Sequence, residues 1–295
     1  MLWLSGSKRF RSLVQFFGLF SLCWLLVVSC GRREAANAPT PATGSNSARI
    51  TVGMTIKPRT LDPADAYELA SSTVLYSLGD RLYSYKLGTN QLEPQLATAL
   101  PKVSADGTTY TIPLRQGVVF HDGTPFNAAA MAFSLDRFIQ NGGKPSSLIS
   151  DLVESVKASG EYELTIKLKN AFAPFPAVLS YSGLCAVSPK GYEIGSGKFN
   201  PTKFVGTGPY KLVEFSPNLV RLDVFDKYWG TKPPNQGIDF QFLTSSANLF
   251  NAFRTGAIDI AYQSLDPDQI AKLQADAASG GWQVLETKGN VVNYM

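Results

Sequence analysis

One histidine, His121, serves a chain of 295 residues, and only three cysteines accompany it. A single imidazole excludes every zinc site built from several histidines. It also leaves any Ser-His-Asp arrangement dependent on one position. That position lies in VVFHDGTPF, where Asp122-Gly123 signals a turn after a strand, so His121 reads as a turn residue rather than a base. The cysteines are equally restrictive. Cys23 sits in an apolar leader, Cys30 ends that leader, and Cys185 lies in the apolar string GLCAV. No internal disulfide is therefore expected in the mature body, and Cys185 reads as buried packing. An excess of charge of one sign is also lacking: 27 Lys and Arg against 23 Asp and Glu give a formal net charge of +4, and Lys8, Arg9 and Arg11 supply three positive charges at the extreme N-terminus. Without a basic body, no nucleic-acid partner is implied. No internal repeat at solenoid spacing is present.

What the N-terminus does have is a long uncharged run. From Ser12 to Gly31 no charged residue occurs, and Leu, Val and Phe dominate. A basic head, an apolar middle and small residues at the end follow the order of a secretory signal. A run of roughly 20 apolar residues is also long enough to span a bilayer. Val27-Val28-Ser29-Cys30 decides between the two, because it resembles the bacterial lipobox. The expectation is a lipoprotein signal peptide over residues 1–29, cleaved before Cys30, with Cys30 as the lipidated residue. Several acyl chains on one residue hold a membrane where one would not. Residues 30–48, rich in Ala, Pro, Thr and Asn, have too little apolar surface to fold and are expected to form a flexible linker.

The body begins at Arg49. RITVGMT (49–55) predicts a strand, followed by the Pro-bracketed loop Lys57–Pro63 and a helix over 68–82 with Leu69, Val74, Leu75, Leu78 and Leu82 inward. TTYTIPLRQGVVF (108–120) alternates and turns at Gln116-Gly117, predicting a hairpin. Asn127 caps a helix, AAAMAFSLDRFIQ, closed by Asn141-Gly142-Gly143. DLVESVKA and YELTIKLK predict a second hairpin, and a short helix follows Pro174. Residues 208–225 predict a third hairpin around Pro217-Asn218. GIDFQFL, a helix near 247–254 and AIDIAY make a βαβ unit, for which a right-handed crossover is expected. A helix over 267–277 and a strand over 282–287 continue the alternation. The fold class is α/β with antiparallel hairpins inserted.

Four stretches then fall in one order: Leu61-Asp62-Pro63 with Asp80-Arg81-Leu82; Asp106 through Asp122-Gly123 to Phe133-Ser134-Leu135; Gly206-Thr207-Gly208-Pro209-Tyr210 with Tyr228-Trp229-Gly230; and Phe253 through Asp259. Together they resemble family 5 of the bacterial extracellular solute-binding proteins, the dipeptide-, oligopeptide- and nickel-binding receptors of ABC importers, over Arg49 to Met295. The resemblance implies a periplasmic-binding-protein-like class II fold. Residues 49–84 and 206–288 would form lobe I, 85–205 an inserted subdomain, and 289–295 the start of a crossing to lobe II, which would be largely missing. It implies a non-enzymatic receptor that closes about a hinge on a solute, and the lipobox adds a lipid anchor that would hold it at the periplasm or cell envelope. Its partners would be a small-molecule solute (oligopeptide foremost, with nickel chelates, sugar oligomers and opines open), the ABC permease and ATPase subunits, and the membrane through the lipid. No cofactor and no metal site is expected.

Two segments correspond to cleft-lining positions of that family. One is the loop and helix start with Asp65, Tyr67 and Glu68; the other is Tyr181-Ser182-Gly183. A tyrosine offers a flat apolar face and a polar tip to a solute, and the two acids offer charge to a cationic group. The competing readings are a cell-envelope hydrolase or sugar-active enzyme, which needs a paired-carboxylate site that no motif singles out, and a remnant that folds but binds nothing. Val291, Val292 and Met295 suggest a strand continuing into a further lobe. A truncated frame, a fragment or a receptor completed by a second polypeptide is the corresponding expectation.

Overall fold

The computed structural model describes residues 49–286. The expected signal, Cys30, the linker and the 289–295 crossing lie outside them. Within them, β1 (Ile50–Met54) occupies the interior of a five-stranded sheet with the order β11-β1-β10-β9-β8. Its partners are β8 (Tyr210–Phe215), β9 (Leu219–Val224), β10 (Gly237–Phe242) and β11 (Ile260–Ala261). β1 runs parallel to β10 and β11 on its two sides, whereas β8, β9 and β10 are antiparallel. The 208–225 hairpin and the βαβ unit are thus both present, with β1 inserted between the two parallel strands of the unit.

Helix α1 (Leu69–Leu78) covers this sheet and buries Val74, Leu75 and Leu78 with Val52, Val220 and Phe240. Two expectations change here. The helix stops at Leu78 rather than 82, because Gly79 is extended and Asp80–Leu82 turn away to feed β2 (Tyr83–Tyr85), which pairs with β3 (Leu92–Pro94). Leu69, expected inward, is 67% exposed.

A second sheet, ordered β4-β5-β7-β6, is built from β4 (Lys102–Val103), β5 (Thr109–Pro113), β6 (Val153–Gly160) and β7 (Glu163–Leu168). The 108–120 hairpin does not form. β5 takes β4 and β7 as its neighbours, and Val119 instead bridges Pro125 across the Asp122-Gly123 turn. Helix α2 (Ala128–Gln140) packs on this sheet. Its cap is the expected one, with the Asn127 side chain accepting from the Ala130 amide at 3.0 Å. Short α3 (Ser147–Ser150) and α4 (Phe175–Val178) border it. Beyond the first sheet's β10 come α5 (Ser246–Arg254) and α6 (Pro267–Gly280), the latter started by an Asp266–Gln269 capping box. Residues 282–286 are not a strand: they have no ladder partner, and Trp282 folds back so that its indole donates to the Leu273 carbonyl.

The two sheets carry separate apolar clusters that meet along one extended segment. Leu184 and Ala186 enter the cluster of the second sheet, whereas Cys185 and Val187 enter that of the first. Alternation along an extended chain sends successive side chains to opposite sides, so this segment stitches the two cores together. Burial pushes the Cys185 thiol up to about 12, which leaves it unreactive.

Candidate functional site

The site begins with the loop that leaves β1. Leu61 and Asp62 are fully buried. Asp62 meets Arg137 of α2 in a two-pronged ion pair, Nη1 to Oδ1 at 2.8 Å and Nη2 to Oδ2 at 2.7 Å, with both side chains shielded from solvent. The same carboxylate accepts the Ala64 and Asn200 amides. A charged group inside a protein is tolerated when its lone pairs are this fully occupied. The loop is therefore fixed from beneath, and what it carries outward is held in place.

Asp65, Tyr67 and Glu68 are what it carries. Tyr67 is 59% exposed, with its backbone amide 3.3 Å from Glu68 Oε2. The two acids face the chain's own Arg59: Nη1 lies 2.6 Å from Asp65 and Nε lies 2.6 Å from Glu68. Burial opposes ionisation of Glu68, but the Arg59 hydrogen bond and charge, together with backbone amides, hold its carboxyl below the usual range. A solute cation would compete with Arg59 for these oxygens.

Tyr181 approaches from the other expected segment. Its hydroxyl donates to the Ala66 carbonyl at 2.6 Å and its ring meets Phe138 edge-on. Burial, followed by the neighbouring Tyr67, Tyr76 and Glu68 side chains, disfavours ionisation of this phenol. The four groups thus share one neighbourhood. Tyr76, in the last turn of α1, is 51% exposed, and Leu69, the first residue of that helix, is also open. Tyr76 and Leu69 were invisible as surface residues in the sequence, where helical spacing alone assigned Leu69 to the core.

Ser182 and Gly183 do not join this face. Ser182 has 0% exposure, and its hydroxyl donates to Ser72 Oγ at 2.9 Å. A Cβ on Gly183 would lie 2.7 Å from the Pro63 carbonyl oxygen and 2.6 Å from the Tyr181 ring. Both residues let the Tyr181 segment close against the 61–66 loop; neither has surface to offer a solute.

Behind the face, the remaining motifs serve each other. The Gly206 amide lies 3.3 Å from His121 Nδ1, while Nε2 lies 3.1 Å from the Gly208 carbonyl, which selects the neutral Nε2–H tautomer. Burial holds the imidazole down at about 4. Gly208 presses on the end of α1, where a Cβ would come 2.4 Å from the Leu78 carbonyl carbon. Asp80 receives the Trp229 indole at 2.8 Å, the Thr207 hydroxyl at 3.1 Å and the Gln95 amide at 2.9 Å. Burial raises its carboxyl to about 6, with Trp229, Arg81 and Thr207 opposing. Trp229 is also covered by Arg115, so it belongs to the scaffold. Among the described residues no group of three or more His, Cys, Asp or Glu could hold a metal ion, and no helix is long and apolar enough to cross a membrane.

Residues 91–295 match the family described as bacterial extracellular solute-binding proteins, family 5. The glutathione-binding protein GsiB of Pectobacterium atrosepticum is 32% identical over 248 residues, covering 81% of this chain and 46% of that protein. The dipeptide-binding protein of Escherichia coli is 28% identical over 250 residues, covering 77% and 45%. Among solved structures, NikA from Brucella suis in complex with Fe(III)-EDTA superposes with a TM-score of 0.69 at 26% identity, over 77% of this chain and 46% of that one. The chain spans about half the length of the curated relatives it matches.

Proposed function

Because this chain belongs to the bacterial extracellular solute-binding proteins, family 5, we propose that it is a solute-capturing receptor of an ABC importer, with the Tyr67–Tyr181 face as its half of the binding cleft. One observation carries the reading. An exposed aromatic loop, tied down by a buried ion pair, is an aromatic platform ordered before any ligand arrives. The relatives named above bind glutathione, dipeptides and a metal chelate, so the solute class is a small, polar, charge-bearing molecule, with a short peptide foremost. Residues 49–84 and 206–288 serve as lobe I and 85–205 as its subdomain. The protein performs no chemistry on the solute, and it hands the solute to membrane permease subunits driven by an ATPase.

The receptor is held at the cell envelope by lipid on Cys30, which keeps it close to its permease. Native mass spectrometry of the purified full chain tests capture: a retained, unmodified small molecule is the expected result. Turnover of that molecule, or a bare protein after exposure to a peptide library, would overturn the reading. Intact-mass analysis of detergent-extracted protein tests the anchor separately. A mass beginning at Cys30 with acyl chains is expected, and retention of residues 1–29 would refute it.

A further inference from the structure

Arg81 is a buried guanidinium without a counter-ion in contact. The residue is 5% exposed, and its side chain makes a single hydrogen bond, Nη1 to the Gly79 carbonyl at 2.9 Å. Among the described residues, Nε of Arg81 is the buried side-chain nitrogen or oxygen that has no partner. Asp80, next in sequence, cannot supply one. Its Oδ1 accepts from Gln95 and lies 3.4 Å from the Tyr228 hydroxyl, and its Oδ2 accepts from Trp229 and Thr207. An arginine keeps its charge at any physiological pH and presents a planar fork of donors. The Asp80 charge acts on it only through space, and leaving the fork of such a group dry and without an acceptor is costly, unlike the fully occupied Asp62–Arg137 pair.

The position of Arg81 explains what could complete it. Its guanidinium carbon lies 4.6 Å from the centroid of the Tyr76 ring, which roofs it. Tyr76 is half-exposed and belongs to the same neighbourhood as Tyr67 and Tyr181. A rotamer change of an exposed tyrosine takes nanoseconds or less, so this roof opens easily. A flat, hydrogen-bond-accepting anion passing beneath it would meet two parallel N–H donors, the geometry that carboxylates fit best.

We propose that Arg81, covered by Tyr76, is the anchor for a carboxylate group of the captured solute. The proposal rests on the receptor reading above and narrows it: the solute carries a free carboxylate, as a peptide C-terminus does, and its apolar or peptide portion lies toward Tyr67 and Tyr181.

Two probes separate the anchor from the wider reading. The first is acetate, added to the full chain labelled with 15N-arginine, with acetamide as the uncharged control. The Arg81 Nε resonance, assigned by its loss in Arg81→Lys, is expected to shift saturably with acetate and to stay still with acetamide. The second is trialanine against its C-terminal amide, measured by calorimetry. The amide should bind at least about tenfold more weakly, the scale of a charge-assisted hydrogen bond lost, and Arg81→Gln should abolish that difference. Should Arg81→Gln fail to fold, Arg81→Lys, which keeps the charge and loses the fork, provides the comparison. An Nε resonance indifferent to acetate overturns the anchor, as does equal affinity for trialanine and its amide, and in the latter case the receptor reading stands. An acetate shift without any peptide binding supports the anchor and removes peptides as the cargo.

Discussion

Replacing Arg137 by methionine removes the charge beneath the 61–66 loop while keeping most of the side-chain volume. Removing one partner of a buried ion pair costs about 3–5 kcal/mol, because the other charge is left uncompensated. Three features of this site set the value near the lower end. Asp62 keeps the Ala64 and Asn200 amides. The carbonyls of Glu193 and Lys198, which Arg137 also binds, each retain a bond from Asn141 Nδ2, at 3.2 and 2.7 Å. The methionine fills most of the space, so little cavity penalty is added. The expected loss is therefore about 3 kcal/mol, or roughly 6–12 °C in Tm for a body of this size. Urea and thermal denaturation followed by circular dichroism would measure it. The double variant Asp62→Asn/Arg137→Met leaves neither charge buried. It should lose at least about 1 kcal/mol less than the sum of the two single variants. A loss under about 1 kcal/mol for Arg137→Met, or strict additivity in the double variant, would refute the view that this pair fixes the loop.

Tyr67→Ala should weaken solute affinity by about 1–3 kcal/mol, the scale of an aromatic anchor. Its melting temperature should stay unchanged, since the ring is exposed; calorimetry and thermal melts read the two effects apart. Gly208→Ala forces a Cβ onto backbone of α1 and should cost about 1–3 kcal/mol in urea unfolding; wild-type stability would show that α1 can yield. Acid behaviour should reveal two opposing groups. His121 has a folded value near 4 against 6.5 unfolded, so its contribution is present above pH 6.5 and is lost as pH falls toward 4. Asp80 has a folded value near 6 against 3.8, so its contribution is present below pH 3.8 and is lost as pH rises through 6. Between about pH 4 and 6 the two largely cancel in the wild type, and Asp80→Asn should uncover a steeper fall toward acid. Parallel stability profiles for the two proteins would contradict that assignment.

The sequence revealed elements whose signals are local and missed those that depend on remote partners. Helix α2 was readable because Asn127 caps it and Asn141-Gly142 ends it, both within the segment itself. Alternation in 108–120 was equally visible, yet alternation does not name a partner, and β5 chose strands on either side instead of its own continuation. The site divides in the same way. Tyr67 and Tyr181 could be proposed from the resemblance, whereas the Arg137 that steadies their loop lies 75 positions from Asp62 and shares no motif with it. Arg59 was readable as a loop residue but not as the partner of both acids. Ser182 and Gly183 were named only because their segment corresponds to a cleft-lining one of the resembled family; packing of that segment against Pro63 and Ser72 buries both.

The interior position of β1, between β11 and β10, also dictates a timetable. Its backbone finds no sheet partner nearby in sequence: Val52 pairs with Phe240 on one side and Ile260 on the other, and the Thr51 amide reaches Asp259 across 208 positions. The β6–β7 hairpin, by contrast, closes between neighbours. A chain emerging at about 5–20 residues per second would leave β1 waiting about 10–40 s before its flanking strands exist. Throughout that interval the strand offers bare amides and the apolar side chains Ile50, Val52 and Met54 to whatever is near. The earliest strand of the body is thus among the last to be secured, whereas the second sheet has all its strands by Leu168.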